Sequence, residues 1–316
     1  EIKKEIALLD TVKERGYLVC GVNAGLPGFA SEDEEGNWSG LDVDFCRAVS
    51  AAVFGDADKV EYLGLNAAQR FPTLASGSID ILSRNTTWTI SRDVNLMFEF
   101  AGVSYYDGQG FLVPTDLGIT SARGLDGAFV CIASETTSEL NLNDYFAENN
   151  MAYRPIYVEG NKDAKAKLFA GECDVFTTDA SGLASARAGA ENPDDWVVLP
   201  EIISKEPLGP LVRQGDQEWE DVVRWTLFAM INAEEMGITS RNVDDMLAAQ
   251  SKEIKRLLGV EGYMGPMLGL GMKFGYNIIK LVGNYGESFN KHIGPGTPLN
   301  LERGLNNLWN NGGILY

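Results

Sequence analysis

The sequence predicts an α/β protein of two lobes, each with a mostly parallel sheet flanked by helices. Short apolar runs alternate with helical patterns of roughly ten to fifteen residues, which is typical of parallel strands connected by helices. The length of 316 residues leaves room for two domains of ordinary size. The order of strands and helices also starts again after Pro114. Together these observations predict two lobes, each with its own core.

In the first lobe, the sequence predicts a strand at residues 17–20, a helix at 44–53 and a strand at 79–82. The helix is indicated by apolar residues at positions 45, 49, 52 and 53, which lie on one helical face. The apolar run 110–113 ends at Pro114, because a proline cannot continue a central strand. The first lobe therefore follows a strand, helix, strand order.

The second lobe is predicted from strands at 128–132, 156–158 and 175–177 and from helices at 138–149, 162–170 and 180–188. The segment 200–210 contains three prolines and indicates an extended return connection, which is followed by a long amphipathic helix at 218–233. The predicted domains are lobe 1, from residues 1–113 and 209–316, and lobe 2, from residues 114–208.

The last part of lobe 1, residues 237–316, is predicted to be a helical C-terminal extension. It either supports the first lobe or mediates self-association. The spacing of Leu301, Leu305, Leu308 and Trp309 favours packing onto a core.

The net charge and the histidine count exclude several classes of function. The chain has 45 acidic and 26 basic residues, a net charge of −19, and one histidine, His292. A nucleic-acid partner is not expected, because such binding needs clustered Lys and Arg. One histidine also argues against a His-rich zinc site and a Ser-His-Asp triad. Neither a G-x-G-x-x-G nor a phosphate-loop motif occurs, so no cofactor is predicted.

The four cysteines allow one disulfide in each lobe. Cys20 with Cys46 and Cys131 with Cys173 are the candidate pairs, and four buried thiols are an equally acceptable interpretation. The longest uncharged stretch, 16–31, contains polar residues and is shorter than the ~18 apolar residues of a membrane span, so the protein is not expected to be membrane-spanning. Residues 1–5 lack the apolar core of a secretory signal, so an exported protein would be present here in mature or trimmed form.

A polar stretch at residues 83–92 follows the predicted strand 79–82 directly. Ligands of open parallel sheets bind beyond the carboxyl ends of the strands, so a binding crevice is expected here. The stretch carries several hydroxyls and the arginines Arg84 and Arg92. A guanidinium matches a carboxylate, so the stretch is a candidate anion site. The alternative is a polar surface turn with Arg92 in a salt bridge at its rim.

Two further polar sites follow predicted strands of the second lobe. Residues 134–138 begin a helix, whose free N–H groups bind anions, although simple capping by Thr137 or Ser138 is the alternative. Asp179 ends the strand 175–177 and either holds a cation or caps the helix 180–188. The residues alone leave both alternatives open.

Several short motifs occur in one order along the chain: RGYLVCGV at 15–22, GLDVD at 40–44, FPTL at 71–74, GSID at 77–80, TWTISR at 87–92, YYDGQ at 105–109, NYG at 284–286 and GLNNLW at 304–309. In this order the sequence resembles the family 3 periplasmic solute-binding proteins of amino-acid ABC transporters, and most of all their general L-amino-acid binding subgroup. The resemblance implies a type II periplasmic-binding-protein fold with two hinge crossovers. It also implies a periplasmic protein without enzymatic activity that closes over a free L-amino acid and delivers it to a membrane permease.

The resemblance also implies roles for individual residues. Arg92 matches the arginine that binds the ligand α-carboxylate, with Thr87 beside it. Asp179 matches the acid that binds the α-ammonium group. Thr137, with Thr136, matches the second-lobe donors to the carboxylate. Asn85 stands where the family usually has Gly or Ser and offers a further acceptor.

Other positions bear on the ligand side chain. Glu135 replaces a common glycine and either points away along the helix or reaches the pocket, where it would favour basic ligands. Ala67 replaces an aromatic residue of narrower relatives, which predicts broad specificity. Trp88, Thr89 and Leu26 are candidate contacts, and core packing is the alternative for Leu26.

Two questions remain open from the sequence. Arg84 either meets acidic side chains or forms a surface bridge. An enzyme similar to the cyclohexadienyl dehydratases of this scaffold is the alternative function, and it would need an acid or base in the cleft.

Overall fold

The computed structural model describes residues 7–316, so the first six residues of the predicted lobe 1 lie outside the described residues. The strands are β1 (Leu18–Asn23), β2 (Ser31–Glu32), β3 (Trp38–Ser39), β4 (Val60–Leu65), β5 (Ile81–Leu82), β6 (Phe98–Phe100), β7 (Tyr105–Asp107), β8 (Gln109–Pro114), β9 (Phe129–Ala133), β10 (Arg154–Val158), β11 (Val175–Asp179), β12 (Trp196–Val198), β13 (Glu206–Leu208) and β14 (Leu211–Arg213). The α-helices are α1 (Leu8–Arg15), α2 (Leu41–Phe54), α3 (Ala67–Ala75), α4 (Thr137–Glu148), α5 (Asn161–Phe169), α6 (Ala180–Ala188), α7 (Gln217–Glu235), α8 (Val243–Met246), α9 (Lys252–Leu257), α10 (Met264–Met267), α11 (Phe274–Leu281) and α12 (Tyr285–His292).

Lobe 1 is built on a five-stranded sheet in the order β4-β1-β5-β14-β6. β1 pairs in parallel with β4 and β5, whereas β14 runs antiparallel to β5 and β6. The long helix α7 buries one face against this lobe, and the indole nitrogen of Trp219 donates to the carbonyl of Asp80 at 3.0 Å. This hydrogen bond satisfies the polar atom of a fully buried aromatic ring.

Lobe 2 has a second five-stranded sheet in the order β10-β9-β11-β8-β12. β9 pairs in parallel with β10 and β11, while β8 is antiparallel to β11 and β12. One side of the sheet packs on α4 through Phe111, Leu142 and Phe146. The other packs on α5 and α6 through Leu168, Phe176 and Leu183. Each lobe is therefore a sheet covered by helices, as the sequence predicts.

The predicted boundary between residues 113 and 114 needs correction, because β8 belongs to the second sheet. Residues 109–113, assigned by the sequence to lobe 1, pair with β11 and β12 of lobe 2. Pro114 does end the strand, next to the edge strand β12. The proline thus closes the first strand of lobe 2 rather than the last strand of lobe 1.

The two lobes are joined by a separate hinge ribbon. β7 and β13 pair antiparallel, with Asp107 opposite Glu206 and Tyr105 opposite Leu208. On its other edge, β7 is held by a side chain. Asn306 accepts from the N–H of Tyr106 at 2.6 Å and donates to the carbonyl of Tyr106 at 2.9 Å. The side-chain amide of Asn306 therefore satisfies the backbone N–H and C=O of Tyr106, as a neighbouring strand would.

The C-terminal extension packs on lobe 1. Helix α12 buries Phe289, and Ser288 and His292 contact the buried carboxylate of Asp44 at 3.0 and 2.7 Å. Part of the predicted apolar stripe is exposed. Leu308 is buried, but the surfaces of Leu305 and Trp309 are 56% and 63% exposed. These two residues lie in short 3₁₀ turns rather than in one helix, so the helical spacing expected there does not apply.

Each lobe contains one disulfide. Cys20 of β1 is bonded to Cys46 of α2, and Cys131 of β9 is bonded to Cys173. Of the two interpretations left open by the sequence, the structure has the disulfides. In the described part of the chain, no helix combines the length and the apolar character needed to cross a membrane.

Candidate functional site

A cavity of about 50 Å³ lies between the two lobes. We call it the interlobe cavity. Lobe 1 and lobe 2 both line it, with the following residues: Asn23, Ala67, Arg70, Arg84, Asn85, Thr87, Arg92, Ala133, Thr136, Thr137, Ser138, Gly160, Asn161, Thr178 and Asp179. The sequence-predicted residues Asn85, Thr87, Arg92, Thr136, Thr137 and Asp179 are among them. The structure therefore brings these six, which come from distant parts of the chain, to one place.

The segment after β5 supplies the lobe 1 wall. Asn85 has a positive φ of 21°, and its backbone N–H donates to the carboxylate of Asp42 at 3.1 Å. The side-chain amide of Asn85 donates to Asp179 of lobe 2 at 3.2 Å, and its carbonyl accepts from Asn23 at 3.0 Å. Asn85 therefore forms a direct polar contact across the cleft.

Arg92 is fixed from two sides. It lies in a π-helical turn, Ser91–Asn95, and its side chain turns back so that Nη1 donates to the carbonyl of Thr87 at 2.7 Å. Its guanidinium lies 5.2 Å from the centre of the Phe71 ring. Burial lowers the pKa of Arg92, and the negative charges of Glu206 and Asp179 oppose that shift. Because arginine keeps its proton even so, the cavity holds a fixed positive charge. The surface-turn interpretation of Arg92 is therefore wrong.

Asp179 stands at the end of β11 and directly before α6. It occupies the N-cap position, yet its side chain makes no capping hydrogen bond and contacts Asn85 instead. Burial, together with the charges of Asp107 and Glu206, raises the pKa of Asp179 to about 8, whereas Asn85 and Arg70 act in the opposite direction. The carboxyl of Asp179 therefore faces the cleft, and burial there disfavours its ionised form.

Helix α4 begins at the lobe 2 wall. Thr136 is the N-cap, and its hydroxyl accepts from the N–H of Glu139 at 3.3 Å and donates to the carbonyl of Ala133 at 2.7 Å. The cap is thus one residue earlier than the sequence suggested. Thr137 is the first helical residue, so its backbone N–H has no acceptor within the helix. That N–H is a donor available to an anion in the cavity.

A hinge residue that sequence reasoning did not consider, Glu206, links the two lobes. Its carboxylate accepts hydrogen bonds from the hydroxyl of Thr87 in lobe 1 and from that of Thr137 in lobe 2, the latter at 3.1 Å. Asn141 and Ser204 also donate to it, both at 2.7 Å. Since each threonine hydroxyl has a single proton, both protons are used by Glu206 in this conformation. The donors left for an anion are therefore backbone N–H groups and the arginines of the cavity wall, Arg92 among them.

Four predicted contacts lie outside the interlobe cavity. Trp88 is 40% exposed and stacks on Phe100 at 5.2 Å, on the outer surface of lobe 1. Thr89 uses its hydroxyl to accept from the backbone N–H of Arg92 at 3.3 Å, and so it shapes the turn. Leu26 is 1% exposed and packs in the lobe 1 core. Core packing, the alternative left open for Leu26, is what the structure has.

Glu135 is the fourth predicted contact that lies outside the interlobe cavity, and its backbone conformation explains why. It has a positive φ of 60° and an exposed side chain, and its N–H donates to the carboxylate of Glu139 at 3.0 Å. A left-handed backbone suits glycine best, so the glycine common at this place in the family is a matter of chain conformation. The side chain of Glu135 points away from the cavity, and the interpretation that favours basic ligands has no geometric basis.

Two buried arginines complete the lobe 1 wall. Arg84 is 6% exposed, which rules out the surface bridge considered for it, and Arg70 is 3% exposed. Arg70 was missed, although a signal exists. On α3 it lies between Ala67 and Leu74 on the buried face, so a charge stands at a position that the helical period assigns to the core. Among residues 7–316, no group of His, Cys, Asp and Glu is arranged to hold a metal ion.

Comparison with known proteins places this geometry in a family. Residues 18–241 match the family described as bacterial extracellular solute-binding proteins, family 3. The general L-amino acid-binding periplasmic protein AapJ of Rhizobium johnstonii is 56% identical over 98% of this chain and 91% of its own length. The glutamate/glutamine/aspartate/asparagine-binding protein BztA of Rhodobacter capsulatus is 52% identical, again over 98% of this chain and 91% of its own length.

A solved structure gives the same result for the fold. An ABC transporter periplasmic binding protein from Brucella ovis, with glutathione bound, superposes with a TM-score of 0.97 at 53% identity, covering 99% of this chain and 98% of that chain. The type II periplasmic-binding-protein fold implied by the sequence is thereby confirmed. The chain belongs to the bacterial extracellular solute-binding proteins, family 3.

Proposed function

We propose that this protein is the periplasmic substrate-binding component of an ABC importer, which binds free L-amino acids with broad specificity by lobe closure and delivers them to a membrane permease. The observation that carries the proposal is the placement of opposite charges on opposite lobes of one cavity. Arg92 comes from lobe 1 and Asp179 from lobe 2. The names of the relatives, a general L-amino acid-binding protein and a glutamate/glutamine/aspartate/asparagine-binding protein, support it.

In the proposed complex, the ligand α-carboxylate binds Arg92 and the N–H of Thr137, while the α-ammonium group binds Asp179. A buried charge is tolerated only when it is paired and hydrogen-bonded, so a zwitterion suits this arrangement and a singly charged analogue does not. Because the partners come from both lobes, the ligand binds the closed form more tightly than the open form. That difference in affinity is what drives closure.

Broad specificity is supported by the space beside the charges. Ala67 lines the cavity and adds only a methyl group there. A second cavity of about 500 Å³ adjoins the first and shares Asn23, Arg84, Gly160 and Asn161 with it. Side chains of different length can extend toward this space. The Brucella ovis relative with glutathione bound is in accord with a site that accepts more than one small amino acid.

We infer that no chemical step follows binding and that the compartment is the periplasm. The relatives named above are called binding proteins, and the carboxyl with the raised pKa, Asp179, is the expected partner of the ligand ammonium group rather than a general acid. Disulfides persist in oxidising compartments, and both cysteine pairs are bonded. Ligand recovered unchanged after long incubation would separate this function from the dehydratase-like enzyme.

The test is a thermal-shift panel of the common L-amino acids with two controls, the decarboxylated amines and the N-acetylated acids. A ligand at 100 times its Kd stabilises the native state by ~2.7 kcal/mol, so moderate binders are detectable. We expect shifts with many L-amino acids and none with either control. A shift with one amino acid would keep the zwitterion site and remove the breadth. No shift with any of them would contradict the proposed function.

A further inference from the structure

The C-terminal extension carries an apolar loop on its outer surface. Residues 259–272, which we call the outer loop, include the short helix α10 and five glycines. The exposed apolar side chains of the loop are Val260, Tyr263, Met264, Met267 and Met272. The most exposed are Met267, at 83%, and Tyr263, at 73%. Single exposed apolar residues are ordinary, but several on one short segment indicate an interaction site.

The outer loop is held in place from within. A Cβ atom added at Gly259 would lie 1.8 Å from the carbonyl oxygen of Met272, so only glycine allows the two ends of the loop to touch. In the middle of the loop, the carbonyl of Gly265 accepts from the N–H of Leu270 at 2.8 Å. Leu258 and Leu270 are buried in the lobe 1 core. This segment therefore packs one set of apolar residues inward and presents another set to solvent.

Basic side chains surround the outer loop, although the whole chain has a net charge of −19. Lys252, Lys255 and Arg256 belong to α9, which precedes the loop, and Lys273 follows it. Lys252 and Arg256 are four residues apart, so they lie on one face of α9. A Cβ atom added at Gly262 would lie 3.4 Å from Cγ of Arg256, so the stem of this arginine lies against the loop. We call these four basic residues the basic rim.

The acidic residues nearby do not cancel the basic rim. Residues 252–273 contain four basic and two acidic side chains, and one of the acids, Glu261, is paired with Lys255 at 3.3 Å. A further acid, Glu218 of α7, lies beside the loop, where Lys13 donates to a loop carbonyl at 2.7 Å. Within the portion of the chain that the structure describes, the other three rim residues have no carboxylate within the 4.0 Å of a salt bridge. Their charges are therefore available to an anionic surface.

Two kinds of partner suit an apolar surface with basic residues around it, a protein and an anionic membrane. Stable protein interfaces usually bury about 20–30 residues on each side and are depleted in lysine. The outer loop offers five exposed apolar side chains, and three of the four rim residues are lysines. Lysine lays its stem on apolar surface while its ammonium group reaches water or phosphate, and tyrosine is common at the depth of the lipid headgroups. These features favour the membrane.

We propose that the outer loop and its basic rim bind reversibly to the surface of a membrane that contains anionic lipid. Tyr263 and Met267 enter the headgroup region, and Lys252, Arg256 and Lys273 face the lipid phosphates. Because the Debye length at physiological salt is about 8 Å, the negative charges on distant faces of the protein are largely screened. The inference goes beyond the proposed function, since it does not depend on which ligand occupies the interlobe cavity.

The test is co-sedimentation of the protein with vesicles of phosphatidylcholine alone, or of equal parts of phosphatidylcholine and phosphatidylglycerol. The rim variant combines Lys252→Gln, Arg256→Gln and Lys273→Gln, and the loop variant combines Tyr263→Ser and Met267→Ser. The controls make the equivalent changes at exposed residues elsewhere: Lys59→Gln with Arg123→Gln and Arg154→Gln, and Leu305→Ser with Trp309→Ser. Melting temperatures show whether each variant is folded.

The wild type should bind the anionic vesicles at physiological salt, be released at high salt and leave the neutral vesicles unbound. The rim variant should lose about 100-fold in affinity, because each basic residue near an anionic surface contributes about fivefold. The loop variant should lose at least about tenfold through the loss of apolar area in the headgroup region. Both controls should match the wild type, and amino-acid binding measured on the same samples tests the proposed function separately.

The other outcomes overturn the proposal. They include failure of the wild type to bind anionic vesicles, and an equal loss in the variants and their controls. Loss in the rim variant alone would show that Tyr263 and Met267 stay outside the headgroup region. If light scattering finds a dimer for the wild type and a monomer for the loop variant, the loop binds a second copy of the chain instead. Where a combined variant does not fold, Met267→Ser or Lys273→Gln replaces it, and unchanged vesicle binding in both single variants contradicts the membrane site.

Discussion

The two lobes contribute opposite and unequal charges to the interlobe cavity. Lobe 1 provides three guanidiniums, on α3, after β5 and in the π-helical turn, whereas lobe 2 provides the carboxyl group of Asp179 and the first turn of α4. Lobe 1 also carries the C-terminal extension, so it is the larger lobe. In the proposed binding mode neither lobe alone complements an amino acid. Selectivity for a zwitterion is then expected only when the cleft closes.

The lobes also differ in how their charges respond to pH. The arginines of lobe 1 keep their charge over the physiological range, but the carboxyl of Asp179 has a pKa of about 8. Lobe 2 therefore determines when both charges are present. Three experiments test this difference between the lobes.

The largest effect is expected from removing the charge that lobe 2 contributes to the lining of the interlobe cavity. Asp179→Asn keeps the shape of the side chain but leaves the ligand ammonium group unpaired, so all amino acids should lose ~2–5 kcal/mol of binding free energy together. Calorimetry measures this, with Asp144→Asn, an exposed acid of the same lobe, as the control. Normal affinity of Asp179→Asn for every ligand would show that the ammonium group binds elsewhere.

A change of pH should produce the next largest effect. Burial first, and then the charges of Asp107 and Glu206, raise the pKa of the Asp179 carboxyl, whereas Asn85 and Arg70 lower it. Below pH 8 it is protonated in the unliganded protein, and an ammonium ligand must expel that proton. Affinity should rise by about tenfold per pH unit well below pH 8, by about 50-fold in all from pH 6 to pH 8, and then level off.

The sign of the accompanying stability change follows from the same shift. The native pKa of Asp179 lies above the ordinary value of 3.8 for an aspartate, so the native state holds this proton more tightly than the unfolded state. The contribution of Asp179 to the stability of the unliganded protein is present below about pH 4 and is lost as the pH rises to about 8.

Proton release on ligand binding measures the same pKa shift. Calorimetry in buffers of different ionisation enthalpy should detect about one proton released per ligand bound at pH 6.5 and none at pH 9. Binding without proton release at pH 6.5 would contradict this account.

A smaller effect is expected from the hinge. In the wild type the hydroxyls of Thr87 and Thr137 both donate to the carboxylate of Glu206. Glu206→Gln keeps one accepting oxygen but replaces the other by an NH₂ group, which cannot accept a hydrogen bond, and it removes the negative charge. The bridge between the two threonines should therefore weaken. A loss of ~1–2 kcal/mol, or about tenfold in affinity for all ligands alike, is expected. Small-angle scattering should also show a larger unliganded molecule. If Glu206→Gln matches the wild type and the exposed-acid control Glu191→Gln in both measurements, Glu206 does not connect the lobes energetically.

Much of the fold could be predicted because the second lobe has clear periodic patterns. Helix α6 was predicted with both ends correct, and α4, α5 and α7 with ends within a few residues. The strand β4 and the helix α3 were not predicted. β4 alternates half-buried and exposed residues at a sheet edge, and α3 contains Pro72, so neither shows a strong pattern.

The site was predictable only in part, for a physical reason. Arg92, Thr87 and Asp179 follow strand ends, where a crevice is expected, and Thr87 and Arg92 also lie in the motif TWTISR. Arg70 and Glu206 reach the site through the packing of α3 and through the hinge, and contacts of this kind between distant segments leave no local pattern. Trp88 and Glu135 adjoin true cavity residues in the chain, but the backbone turns their side chains outward. At these two positions, being next to a cavity residue in the sequence did not predict a side-chain contact with the cavity.

The contact between Asn306 and Tyr106 has a consequence for the order of events during biosynthesis. The two residues are 200 positions apart, and the amide that holds the edge of β7 follows every α-helix and β-strand named above. Strands and helices of both lobes can therefore form before the hinge has its final support. A chain that stops before residue 306 would contain every charged group of the cavity, but the edge of hinge strand β7 would lack its hydrogen bonds to Asn306.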